Sequence, residues 1–476
     1  MIPITPDARY KAMVNLREGK ISREIFSSRE IYEDELDKVF TRAWLFVGHE
    51  SQIPNPGDFF TSRMGAESVI LTRDKKNQVH VFLNSCRHRG MKVCQYDHGN
   101  TQLFTCPYHS WSYTTEGKLF GVPQFKTLYE GCLDKDEWSL IEVPKLATYK
   151  GTVWASWDPH APDLMTYLGD ARAHLDLALD CRDGREGGSE VLVGVHKWII
   201  PCNWKFAAEN FLGDTYHNVS HRSVDLIGIG PSAEAGVKGR RDNEMDKAQH
   251  VWVNFPAGHG VHSAIMPEGW EYTNTYQNNP IVAEYFQHCH EERRRRMGED
   301  RYRLVPFVGT IYPNVSFHGN QPRNLCVWHP HGPESTEAWR FFLVDADAPQ
   351  EVKDFLRTYY MRYSGPAGMT EQDDMENWNY ATAGSRGVIA KRHPYNYQQS
   401  MGKVVTDGPV AGNVSLQVSE ETRASSTAVG AITCRVRIGT PCLAGMTRVL
   451  PVLPSEDHEN HHRQRRHVRS GAVHHR

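Results

Sequence analysis

The chain has 476 residues, a formal net charge of -3, 39% hydrophobic residues and 11% aromatic residues. This composition excludes a disordered chain, and the length favours two or three domains. The near-neutral charge indicates neither a nucleic acid nor a membrane partner, and no apolar run reaches the roughly 18 residues of a membrane span. The N-terminus lacks the order of a signal peptide, and the ten cysteines are thinly spread. We therefore expect a cytoplasmic protein without a disulfide framework.

The pattern of apolar residues divides the chain into four segments. Residues 1–44 contain a predicted helix, with Ser27 and Glu30 at capping-box spacing. Residues 45–160 contain short runs separated by turn residues, which predicts a small all-β domain. Residues 165–420 alternate strand-like and helical stretches, which predicts an α+β domain on an antiparallel sheet. The predicted helices lie at 27–44, 203–222, 280–297 and 349–363, and the predicted strands at 68–72, 79–83, 151–156, 191–195, 325–328 and 339–344.

Two short motifs in the all-β segment carry potential metal ligands. Cys86 and His88 form the first, and Cys106 and His109 form the second after a spacer of seventeen residues. Two Cys and two His can bind one tetrahedral zinc, or a [2Fe–2S] cluster in which the Cys hold one iron and the His hold the other. Each motif supplies one thiolate and one imidazole, which suits a two-iron cluster, but the chemistry of these residues alone leaves open the cluster, zinc and four buried residues without metal.

A second group of polar residues lies on the helix predicted at 203–222. Asn210, Asp214, His217 and His221 are separated by 4, 3 and 4 positions. At about 100° per residue, the four side chains fall within a helical sector of roughly 60°. Two His at i and i+4 can hold one metal ion, and with one carboxylate they form the facial triad of non-haem Fe(II) oxygenases.

The third ligand can come from an acidic pair in a distant segment. Asp373 and Asp374 lie in residues 365–378, which have helical composition. From composition alone, this patch is as readily explained as exposed surface.

Together the motifs resemble those of α (large) subunits of Rieske-type aromatic-ring-hydroxylating dioxygenases, in the branch acting on naphthalene, phenanthrene or biphenyl. The resemblance extends to about residue 420 and includes residues 44–50 and 384–387. Family members often have four or five residues between the two iron His, whereas three separate His217 from His221. The resemblance implies an α+β fold in which a small all-β Rieske domain is inserted near the N-terminus of a larger antiparallel-sheet catalytic domain with helices, of helix-grip (START-like) type.

The same resemblance implies two iron cofactors per chain. It assigns one Rieske [2Fe–2S] cluster to Cys86, His88, Cys106 and His109, and one mononuclear non-haem Fe(II) to His217, His221 and Asp374, with Asp373 beside it. It also implies that Asp214 bridges His109 of one subunit to His217 of the next. The pocket near the iron would be lined by Asn210, Phe211, Leu212 and Gly213.

The implied reaction is cis-dihydroxylation of a hydrophobic, polycyclic aromatic substrate with O2. Electrons would come from NADH through a reductase and a ferredoxin, and the chain would assemble with a small β subunit as α3β3. One alternative is an aromatic carboxylate dioxygenase, monooxygenase or demethylase, for which Arg240, Arg241 or Arg323 could supply a pocket cation. Another alternative is a Rieske electron carrier without catalysis, which would need no facial triad.

Residues 421–476 form an atypical tail. They contain no Phe, Tyr, Trp or Lys, and six His lie in the last nineteen residues. The family continues after residues 419–421 with an aromatic-rich helix, and a one-base slip would turn Phe-Tyr-Arg-Arg-Trp-Gly codons into the sequence found at Ser426–Ala431. We hypothesise a frameshifted reading from about residue 422. The alternative is a disordered natural tail, whose His cluster could bind a metal.

Overall fold

The computed structural model describes residues 8–192, 194–213, 215–227, 248–255, 257–272, 276, 278–320, 322–398, 404–405 and 413–417. The predictions for Asp214, Arg240, Arg241 and the tail at 421–476 fall outside the described residues. No helix among those described combines the length and apolarity needed to cross a bilayer.

The N-terminal third of the chain contains three small antiparallel sheets. Each is built from short strands rich in β-branched and aromatic residues, as the sequence predicts. The four-stranded sheet has, in spatial order, Val79–Leu83, Glu67–Arg73, Asp58–Met64 and His98–Asn100. The two three-stranded sheets have Leu119–Gly121, Ser112–Thr114 and Leu103–Thr105, and Lys145–Tyr149, Thr152–Ser156 and Leu45–His49. Phe59, Phe82, Phe104, Trp111 and Tyr113 belong to the buried core shared by the first two sheets.

The larger domain is built on one ten-stranded sheet whose strand pairs are all antiparallel. Its path runs through Ser189–Val191, Thr336–Asp345, Asn324–Pro330, Val315–His318, Leu304–Ile311, Gly260–Ile265, Gln249–Asn254, Asn413–Gln417 and Val404–Val405, with His196–Ile200 also paired to Thr336–Asp345. A further small sheet joins Val14–Asn15, Lys20–Ile21 and Tyr395–Asn396. The predicted α+β class with an antiparallel sheet is confirmed.

Helices flank this sheet and connect its strands. The α-helices described are Ala8–Met13, Arg29–Glu35, Phe125–Leu128, Leu164–Leu168, Arg172–Leu179, Trp204–Gly213, Arg222–Ile227, Pro280–Tyr302, Gln350–Tyr363 and Met369–Gly384. The 3-10 helices are Arg23–Phe26, Glu50–Gln52, Gly169–Ala171, Thr215–His221 and Ala390–Arg392, and Leu36–Phe40 is a π-helix.

Three details of the sequence prediction are wrong. The predicted continuous helix at 203–222 is divided among Trp204–Gly213, the 3-10 helix Thr215–His221 and Arg222–Ile227. Thr, Tyr, Asn, Val and Ser in the middle portion have low α-helix propensity, which explains the change of helix type. The predicted strand at 191–195 ends at Val191. The helix predicted at 27–44 consists of Arg29–Glu35 and the π-helix Leu36–Phe40, and it is capped by Ser28 instead of Ser27, because the Ser28 side chain accepts a hydrogen bond from the Ile31 amide.

A buried ion pair attaches the N-terminal helix to the helix that leads to the predicted iron site. Lys205 Nζ lies 2.6 Å from Glu35 Oε1, and Trp204 Nε1 donates to Glu35 Oε2 over 2.9 Å. Lys205 and Trp204 are fully buried, and Glu35 is 7% exposed. The N-terminal segment therefore packs against the larger domain through compensated buried charge.

We predict that Lys205→Met destabilises the protein by about 3–5 kcal/mol, because it leaves the Glu35 carboxylate buried without its cation. Thermal unfolding should show a lower midpoint. The control is Lys20→Met, since Lys20 pairs with Glu18 at the surface, where both side chains are about half exposed. Equal midpoints for the two variants would show that the buried pair does not support the fold.

Candidate iron sites

The two Cys/His motifs form closely similar turns at the ends of β-strands. The Cys86 amide donates to Met91 O, and the Gly90 amide donates back to Cys86 O, both over 2.8 Å. The second turn repeats this pattern, with 2.8 Å from the Cys106 amide to Trp111 O and 2.9 Å from the Ser110 amide to Cys106 O. Gly90 and Ser110 occupy equivalent positions with positive φ of 73° and 60°. Each motif is thus a closed loop that holds its Cys and His in fixed positions.

Within these turns the Cys side chains are buried and the His side chains are partly exposed. Burial and the neighbouring Cys86 thiol raise the pKa of the Cys106 thiol. The rings of His88 and His109 have centroids 4.6 Å apart, and Trp111 stacks on His88 at 5.0 Å. Among the described residues, no group hydrogen-bonds to the buried His88 Nδ1, so this atom is available to a metal. A Cys pair inside and a His pair near the surface fit a cluster with differently ligated irons.

The second site brings together His217, His221 and Asp374. One donor atom from each residue lies within 4.8 Å of the others. Asp374 Oδ1 is 3.2 Å from His217 Nε2 and 3.3 Å from His221 Nε2, and the two His Nε2 atoms are 3.2 Å apart. Two imidazoles and one carboxylate converging on one point match the donor set of a facial triad.

The local geometry behind this convergence differs from the one expected from the sequence. His217 and His221 lie on a 3-10 helix, where three residues per turn place i and i+4 about 120° apart, whereas an α-helix places them about 40° apart. Their rings nevertheless meet, with centroids 5.1 Å apart. Asp374 reaches them from the helix Met369–Gly384. The two His lie side by side as predicted, but the predicted reason, a shared face of one α-helix, is wrong.

Burial and the two neighbouring imidazoles have opposite effects on Asp374. Burial raises the pKa of its carboxyl, but the adjacent His217 and His221 outweigh burial and hold the pKa well below its usual range. The carboxyl group is therefore ionised, as metal ligation requires.

A second carboxylate orients one of the imidazoles. Asp373 Oδ2 lies 3.3 Å from His221 Nδ1, and the Ser223 hydroxyl lies 2.8 Å and 3.0 Å from the two Asp373 oxygens. When Nδ1 donates its proton to Asp373, the lone pair on Nε2 points toward Asp374 and His217. Asp373 was predicted to lie beside the site, whereas sequence reasoning missed Ser223, whose contact joins residues 150 positions apart.

Of the remaining predicted site residues, Asn210 lies on the helix Trp204–Gly213, immediately before Phe211. Phe211 is buried against Trp328, with ring centroids 5.6 Å apart, and its ring lies 6.3 Å from that of His318. Trp328 in turn contacts Trp378, one helical turn after Asp374, at 5.4 Å. The helix that carries Asp374 is therefore backed by an aromatic wall of Phe211, Trp328 and Trp378.

Comparison with known families agrees with this arrangement. Residues 43–149 match the family described as "Rieske [2Fe-2S] domain", and residues 164–407 match "Ring hydroxylating alpha subunit (catalytic domain)". The chain belongs to the ring-hydroxylating dioxygenase α subunits. It therefore contains a Rieske [2Fe–2S] domain, and the resemblance found in the sequence is confirmed.

Named relatives and solved structures support the same membership. This α subunit is 40% identical to the biphenyl dioxygenase subunit alpha of Paraburkholderia xenovorans, over 88% of this chain and 91% of the relative. It is 37% identical to the biphenyl 2,3-dioxygenase subunit alpha of Rhodococcus jostii, over 96% and 97% of the two chains. The structure of naphthalene 1,2-dioxygenase from Rhodococcus sp. bound to indole superposes with a TM-score of 0.72 at 33% identity, covering 86% of this chain and 94% of that chain.

We predict that Asp373→Asn weakens metal binding by the His217/His221/Asp374 group by about 10- to 100-fold, because His221 loses the carboxylate that fixes its ring. Titration of metal-depleted protein with Fe(II) or Co(II) measures this change. Glu376→Gln is the matched control, since Glu376 is exposed on the same helix. An unchanged affinity in Asp373→Asn would refute the orienting role.

Proposed function

We propose that this α subunit cis-dihydroxylates a hydrophobic aromatic substrate with O2, as the terminal oxygenase of an electron-transfer system. The observation that carries the proposal is the convergence of His217, His221 and Asp374 within 4.8 Å, beside buried aromatic side chains. An electron carrier needs one redox centre and has no use for a second metal site, so this convergence favours an oxygenase. The relatives are dioxygenase subunits named for biphenyl, benzene and naphthalene.

The residues described above fit both iron centres. Cys86, His88, Cys106 and His109 would hold the [2Fe–2S] cluster, and His217, His221 and Asp374 would hold one Fe(II). The two centres would supply the stepwise reduction and activation of O2, chemistry that no amino-acid side chain provides.

The protein would contribute ligand orientation, substrate placement and exclusion of water. Asp373 holds the His221 ring, and the buried side chains of Phe211, Trp328 and Trp378 pack on the helix that carries Asp374. Asn210 would line the substrate pocket. Apolar surroundings of the metal ligands would favour a neutral aromatic ring over a hydrated molecule.

The charges of the described residues favour a neutral arene over an aromatic carboxylate. Arg323 is buried and its Nη2 lies 2.6 Å from Asp345 Oδ1, so its charge is already compensated. Arg340, also buried and 6.0 Å from the centre of the Phe211 ring, is paired with Glu371. Neither guanidinium is free to bind a substrate carboxylate without breaking a buried ion pair.

The family likeness supports a proposal for the protein partners of this α subunit. We propose that a reductase oxidises NADH, that a ferredoxin carries single electrons to the cluster, and that a small β subunit completes an α3β3 assembly. Closed three-fold symmetry lets each subunit contact the next head to tail. Asp214 would then bridge His109 of one subunit to His217 of its neighbour.

The proposal predicts about three iron atoms per chain, two from the cluster and one from the facial triad. Coexpression with a β subunit and a ferredoxin–reductase pair should yield cis-dihydrodiols from biphenyl or naphthalene. Phthalate and benzoate are tested in the same way, as representative aromatic carboxylate substrates. Two iron atoms per chain with no dihydrodiol would indicate an electron carrier, and products from carboxylates alone would show that the substrate class is wrong.

A further inference from the structure

A buried ion pair lies one helical turn before Asp374. Arg340, on the strand Thr336–Asp345, is 1% exposed, and Glu371, in the first turn of the helix Met369–Gly384, is 3% exposed. Arg340 Nη2 donates to Glu371 Oε2, and Nη1 donates to Asn324 Oδ1 over 2.9 Å. The pair connects a strand inside the large sheet with the helix that carries the carboxylate ligand.

This ion pair is poorly explained as a device for stability. Removing two charges from water has a large desolvation cost, and well-packed apolar residues often serve as well or better in the same place. Its location indicates another role. Gly368, the N-cap residue, has no side chain that could accept a hydrogen bond from the amides of the first turn, so a side-chain cap does not fix this turn.

The pair is placed to fix that first turn. Glu371 and Asp374 are separated by three positions and therefore lie on neighbouring parts of one helix face. The Gly365 amide lies 3.4 Å from Glu371 Oε2, so the same carboxylate also contacts the loop before the helix. Arg340 is within electrostatic range of Asp374 and lies 6.0 Å from the centre of the Phe211 ring. One guanidinium thus contacts or approaches the Asp374 helix, the central sheet and the aromatic wall.

We infer that Arg340 and Glu371 are positioning residues that hold the first turn of the Asp374 helix, so that the Asp374 carboxylate faces His217 and His221. This inference rests on the proposed mononuclear iron site. Neither residue touches the donor atoms of the triad, and both act through the orientation and electrostatic surroundings of Asp374.

The same strand provides a matched control. Arg323 Nη2 lies 2.6 Å from Asp345 Oδ1, and the two residues are 3% and 5% exposed. This pair has the same chemistry and similar burial, but Asp345 ends the strand and contacts Tyr285 instead of the Asp374 helix. Loss of either pair should affect folding similarly, whereas loss of Arg340–Glu371 alone should affect the metal.

The test compares Arg340→Met/Glu371→Leu with Arg323→Met/Asp345→Leu in the full chain, coexpressed with a β subunit. Three quantities are measured: the unfolding midpoint, the affinity of metal-depleted protein for Fe(II), and the EPR spectrum of the mononuclear site after nitric oxide addition. We expect both variants to fold. The first should bind Fe(II) at least about tenfold more weakly and give an altered nitrosyl spectrum, while the second should match the wild type in both.

Wild-type Fe(II) affinity and an unchanged nitrosyl spectrum in Arg340→Met/Glu371→Leu would overturn the inference. If that variant does not fold, Glu371→Gln replaces it, since it keeps the shape and removes the charge. Weakened Fe(II) binding in Glu371→Gln supports positioning, and wild-type binding refutes it. Failure of the wild-type chain to bind any iron beyond its cluster would instead contradict the proposed function, which separates the two failures.

Discussion

The catalytic domain depends on one geometric requirement, that donor atoms from two distant parts of the chain meet within 4.8 Å. Two imidazoles come from a short 3-10 helix, and the carboxylate comes from a helix that begins at Met369. Neither element can fix this distance alone. The antiparallel sheet brings both to the same place, and buried polar contacts between them set their orientation.

Those contacts form a connected set around the triad. Ser223 and Asp373 hold His221 from one side, and Glu371, paired with Arg340, lies one turn before Asp374 on the other. Glu371 pairs with Arg340 and Asp373 accepts from Ser223, so these carboxylates are compensated, as a low-dielectric interior requires. Aromatic side chains fill the adjoining space, so the region combines charged contacts that orient ligands with apolar surface suited to an arene.

The sequence predicted the features that depend on local spacing. The Cys/His turns are closed by hydrogen bonds within a few residues, and the helix at residues 350–363 and most strands follow from local patterning. Contacts between residues far apart in the chain could not be predicted from these local patterns. No periodicity relates Ser223 to Asp373 or Arg340 to Glu371. The i, i+4 spacing of the two His suggested an α-helix, although residues 215–221 have low α-helix propensity. The frameshifted origin of the tail at 421–476 stays a hypothesis, which sequencing of the gene can test.

Locating iron directly tests the central claim, that His217, His221 and Asp374 together hold a metal ion separate from the cluster. Anomalous diffraction at the iron absorption edge, on crystals of anaerobically purified protein, distinguishes iron from every other atom. We expect one peak between the side chains of His217, His221 and Asp374, and separate density between the two Cys/His turns. Iron confined to the Cys/His turns, with the triad joined only by hydrogen bonds, would contradict it.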